Sequence, residues 1–199
     1  MKPIERGEVL GIAEYESIRD RFRARVIEEK KRRRAPLGPL AFCVFENRDT
    51  VLLQIQEMLR TERITREASV LHEIETYNQL IPGPHELSAT VLIAIDEKAE
   101  REGFLREAKG LEHAFALVVD GARCPGVPDE AREAEDRTTA VHYLKFRLAP
   151  EAERALRDVL ERARPAAELN VALVVEHPRY AARTDLGPEV VTELASDLA

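Results

Sequence analysis

A single α+β domain, with a helical N-terminal half packed on a mainly antiparallel sheet, follows from a change of rhythm along the 199 residues. Over residues 1–84 apolar side chains recur at helical steps, and over 85–199 they alternate, as strands with one buried face require. Hydrophobic residues make up 44% and charged ones 34%, which suits an aliphatic core under a charged surface and is too apolar for disorder. The length is within reach of one core.

The first helix is predicted over Ile12 to Arg34. Ile12, Tyr15, Ile18, Phe22 and Val26 share one face, and the basic block Lys30 to Arg34 suits a helix C-terminus. Pro36, Gly38 and Pro39 end it. A short strand spans Leu40 to Glu46. Asp49 is expected to cap a helix from Thr50 to Thr61, striped by Val51, Leu52, Ile55, Met58 and Leu59. A second helix opens near Thr65 and Glu67 and stops at Pro82-Gly83-Pro84. So short a link makes the two an antiparallel pair.

In the second half, Leu87, Ala89, Val91, Ile93 and Ile95 hold one parity of a strand, while Ser88 and Thr90 begin the other. A charged helix at Glu97 to Ala108 leads to strands at His113 to Val119 and Thr139 to Leu148. A helix from Pro150 to Ala163 has proline in its first turn. A strand at Leu169 to Glu176 and a helix at Pro188 to Asp197 complete the chain. Asp120 to Arg137 reads as a long charged connection, a length often tied to function.

Several function classes are excluded or disfavoured. Cys43 and Cys124 have no paired spacing, so no zinc cage or disulfide framework is suggested. The charged start and the lack of any apolar run near ~20 residues argue for a cytoplasmic protein with no membrane span. A net charge of -7 argues against nucleic acid as a partner, although residues 1–40 carry eleven Lys/Arg against seven Asp/Glu. Arg19, Arg21, Arg23 and Arg25 alternate with other residues and make no single basic stripe. Phosphate loops, dinucleotide turns and serine elbows are absent from the sequence.

Two polar constellations remain. Glu57, His72 and Glu75 would meet if the helix pair folds back, and imidazole with carboxylates suits Fe, Mn or Zn. The competing reading makes them, with Glu46, Arg48 and Asp49, a structural polar network. The second constellation assumes that the strands carrying His142 and His177 are antiparallel neighbours. Those histidines would then meet beside Glu135, Asp136 and Arg137, a set suited to acid–base chemistry or to sensing a small anion. Otherwise each is a lone core-edge histidine.

Phe45-Glu46-Asn47-Arg48-Asp49-Thr50, Gln54 to Met58 and His72 to Asn78 carry a resemblance, continued by Pro82-Gly83-Pro84 and Glu86 to Thr90. Glu135-Asp136-Arg137 and His177-Pro178 followed by Tyr180 complete it. On these segments the chain resembles the bacterial domain-of-unknown-function family 3501. The resemblance implies a place near redox chemistry or peroxide defence, with rubrerythrin-like proteins and iron–sulfur oxidoreductases as partners. Two separated cysteines cannot hold such a cluster here, so it would belong to the partner. The leading expectation is a non-enzymatic accessory or binding protein, docking through the surface around Arg48 and Glu57. The alternative is a metal-dependent enzyme using the His/Glu site. Homo-oligomerisation is left open.

Overall fold

The alternating segments of the second half cannot each bury a face alone, and they satisfy one another in a single sheet. The computed structural model describes residues 1–129 and 136–199. Eight strands, β1 (Arg34–Leu37), β2 (Ala41–Glu46), β3 (Glu86–Ile93), β4 (Phe115–Val119), β5 (Ala122–Pro128), β6 (Val141–Arg147), β7 (Val171–His177) and β8 (Tyr180–Asp185), form it. Their order is β1-β2-β3-β6-β5-β4-β7-β8, and every pairing is antiparallel. The helices are α1 (Ile12–Arg32), α2 (Arg48–Thr61), α3 (Glu67–Asn78), α4 (Lys98–Glu107), α5 (Pro150–Leu160) and α6 (Pro188–Ser196).

The sheet curls until it is nearly a barrel. Its inner face holds Phe45, Leu87, Phe115, Leu144, Phe146 and Leu173, all at 1% exposure or less. Leu156 of α5 and Leu194 of α6 join the same cluster. A second cluster lies outside the sheet. Val51, Ile55 and Leu59 of α2 meet Val70, Ile74 and Tyr77 of α3, with Tyr143 of β6 packed beneath. The expected helical layer on an antiparallel sheet is therefore present, and three further helices belong to the strand-rich half.

β5 joins the two halves of the sheet. Residues Ala122–Pro125 pair with β4, and Gly126–Pro128 pair with β6. A Cβ on Gly126 would stand 3.0 Å from the Phe146 ring and 3.3 Å from the Phe115 carbonyl oxygen, so the crossing needs glycine. This strand occupies much of what the sequence presents as the long 120–137 connection. Residues 130–135 lie outside the described part.

The two outermost strands approach each other at Tyr180. Its hydroxyl donates to the Leu37 carbonyl and accepts from the Leu40 amide at 3.2 Å. Gly38 turns between β1 and β2 at φ 65°, and a Cβ there would lie 2.7 Å from the Tyr180 hydroxyl oxygen. Gly38→Ala therefore combines left-handed strain with a clash, and we expect a loss of about 2 kcal/mol or more in urea unfolding. In a Tyr180→Phe background the same substitution should cost less, because the oxygen it strikes is gone. Equal costs in both backgrounds would contradict the clash.

α2 begins two residues earlier than a cap at Asp49 would allow. Asn47 is its N-cap, accepting from the Thr50 amide at 3.0 Å, while Thr50 accepts the Asn47 amide at 3.0 Å. Asp49 sits in the first turn and pairs with Arg25 at 2.5 Å. The basic end of α1 is also used internally. Arg33 is 2% exposed, and the Arg34 guanidinium lies 3.8 Å from the Phe42 ring centroid.

Candidate functional site

Alternation along β2, β3 and β6 sends a second set of side chains outward, beneath α1, α2 and α3. Glu46 faces Ser88, and Ser88 faces Lys145. One row further along, Val44 faces Thr90 and Thr90 faces Tyr143. Few of these residues are apolar, so the helical layer cannot seal against them as it does against Tyr143 and Leu80. Two adjoining clefts remain, sharing Leu80 and Tyr143 as a common wall.

The first cleft, about 260 Å³, is lined by Glu46, Thr90, Gln54 and Lys30, with Val51 and Leu92 among its apolar walls. Glu46 is 7% exposed. One carboxylate oxygen accepts from the Thr90 hydroxyl at 2.6 Å, and the other accepts from the Thr50 hydroxyl. A carboxylate offers about four acceptor positions, so two remain. Among the described residues no ion pair includes Glu46 or Lys30. The second cleft, about 250 Å³, is lined by Gln79, Ser88, Asp129 and Lys145. Its cation is already matched, since Lys145 pairs with Glu86 at 2.7 Å.

Behind the Glu46 floor a polar spine runs into the C-terminal helix. Asn47 donates to Glu29 at 2.5 Å, and Glu29 lies 3.5 Å from Arg33. Arg33 grips Asp197 with two bonds of 2.8 Å and reaches Glu193 at 3.1 Å. This spine fixes the end of β2 and the start of α2, and with them the acid of the cleft.

The residues expected to bind metal are not gathered. Glu57 faces α1, where Arg19 binds it with two bonds of 2.8 Å and Tyr15 donates at 2.7 Å. The Arg19 guanidinium, against the opposing effect of burial, holds the Glu57 carboxyl down to about 2. His72 and Glu75 are exposed on α3. Among the described residues no three His, Cys, Asp or Glu side chains are placed to hold a metal ion. The fold-back of α2 and α3 occurs, but it turns Glu57 toward α1.

The histidine cluster fails for a topological reason. The β4–β5 pair stands between β6 and β7, so His142 and His177 are not on neighbouring strands. His177 is half-exposed, bonded through Nε2 to the Lys109 carbonyl at 3.1 Å and through Nδ1 to the Arg179 amide at 3.2 Å. His142 is buried against Phe115 at a ring separation of 5.5 Å, and among the described residues its Nε2 has no hydrogen-bond partner. Arg137 pairs with Glu102, Asp136 is exposed, and Glu135 lies outside the described residues. Arg48 pairs with Glu8 and donates to the Lys2 carbonyl at 3.1 Å, while Tyr180 closes the sheet.

Sequence reasoning flagged Glu46 and missed Lys30, Gln54 and Tyr143. A signal existed in the second parity of β3, where Ser88 and Thr90 announce a polar outer face.

Both cysteines are free and buried, and burial pushes their thiols up. Among the described residues no helix is long and apolar enough to cross a membrane. No curated protein matches the chain. A crystal structure described as a novel protein of unknown function from Burkholderia pseudomallei is 30% identical. The match covers 100% of both chains with a TM-score of 0.88. The family model described as protein of unknown function, DUF3501, matches residues 3–198, and the chain belongs to that family.

Proposed function

We propose that this protein is a non-enzymatic binding protein whose binding element is the cleft floored by Glu46. One observation carries the reading. A nearly buried carboxylate faces a cavity, held by two hydroxyl donors and with no ion-pair partner among the described residues. Burial of a carboxylate without an ion-pair partner is costly even when hydroxyls donate to it, and a bound cationic group would offset that cost. At about 260 Å³ the cleft suits a small metabolite, since drug-sized pockets begin near ~300 Å³.

The finer expectation, docking on a rubrerythrin-like or iron–sulfur partner in the cytoplasm, is supported by family resemblance and by two reduced, buried thiols. Arg48 and Glu57 are a poor docking surface for it, because each already has an internal partner. A metal-dependent reaction has no described ligand set to support it.

An NMR screen of small cationic, anionic and neutral fragments tests the binding reading. The expected hits perturb Gln54, Thr90 and Tyr143 together and weaken in Glu46→Gln. A screen in which no fragment moves these three resonances would remove the proposal.

A further inference from the structure

Resting on that binding site, we infer that its ligand is a small zwitterion of the amino-acid class, with an ammonium on Glu46 and a carboxylate on Lys30. Glu46 sits at the buried floor and Lys30, half-exposed on the last turns of α1, lines the same cleft. The two do not pair with each other, and among the described residues neither has another ion-pair partner. The other charges of this region are already matched. Glu29 and Arg33 belong to the spine, Arg25 pairs with Asp49, and Lys145 with Glu86.

An acid and a base left unmatched in one small cavity complement a guest carrying both signs. A simple amine would satisfy the floor and leave Lys30 without a partner. A simple acid would place its charge near Glu46, where like charges repel. The ammonium belongs at depth because the remaining acceptor positions of Glu46 take its N–H donors, alongside the Thr90 hydroxyl. The carboxylate then points outward to Lys30. Val44, Val51, Leu80, Leu92 and Val141, with the Tyr143 ring, form the apolar remainder of the wall, which calls for a short aliphatic side chain.

The test uses wild-type protein and L-valine, L-norvaline and L-leucine, each beside its amide and its N-acetyl derivative. Binding is read by chemical-shift perturbation and calorimetry up to about 10 mM, which reaches the weak end of specific affinity. At least one free amino acid should bind. Its amide and its N-acetyl form should each bind about ten- to hundredfold more weakly, the worth of one charge-assisted bond. Lys30→Met should bring acid and amide to equal affinity, and Glu46→Gln should weaken both. If the amide binds as well as the acid to wild-type protein, the zwitterion is wrong while the cleft remains a binding site. If none of the free amino acids binds, the inference falls. Silence of the fragment screen as well would remove the site itself.

Discussion

Arg33→Met should destabilise the protein by about 3–5 kcal/mol in chemical denaturation, the cost of stranding a buried charge. Arg33 is 2% exposed and holds Asp197 with two bonds of 2.8 Å. Without it, Glu29 keeps Asn47 and Glu193 keeps Arg32, but Asp197 has no remaining basic partner among the described residues. The double variant Arg33→Met with Asp197→Leu should recover more than half of the loss, since removing both charges also removes their desolvation. A single-variant loss below about 1 kcal/mol would mean that the spine is better solvated than its burial indicates.

Acidification should expose the second large effect, through His142. Burial pushes its imidazole down to about 4 from an ordinary 6.5, with Glu112 pulling weakly the other way. Above pH 6.5 the group is neutral in folded and unfolded chains alike, and it costs nothing. Between 6.5 and 4 the unfolded chain takes the proton and the folded one refuses it, so stability falls with pH. Below 4 both are protonated and the loss levels off at about 3.5 kcal/mol, from about 1.4 kcal/mol per pH unit. Stability curves of wild type and His142→Leu should therefore converge or diverge mainly between pH 6.5 and 4. A difference curve flat across that window would contradict the burial-driven shift.

The fold was legible where one rhythm ran long enough. The α2 stripe and the inward parity of β3 were readable because their apolar residues recur at helical steps in the one and at every second position in the other. Three strands escaped notice. β1 is four residues with Pro36 among them, and β5 carries Pro125, Gly126 and Pro128, which read as a loop. β8 alternates small and charged residues with little apolar signal of its own. Missing β5 had a cost beyond the strand count, because it made β6 and β7 look adjacent and brought His142 and His177 together on paper. The site was half legible. Glu46 stood out at the end of a strand, but its setting depends on Thr90 and Lys30, 44 and 16 positions away in the chain, and only the sheet register and α1 bring those to it.

The meeting of β1 and β8 across Tyr180 has a consequence for how this molecule tolerates crowding. An open eight-stranded sheet would expose two rims of unpaired amides and carbonyls, each a template for growth by a neighbouring chain. Here the Leu37 carbonyl and the Leu40 amide are taken by the tyrosine, and Pro36 has no amide to offer. At that junction two backbone groups that could template a neighbouring strand are already bonded within the chain.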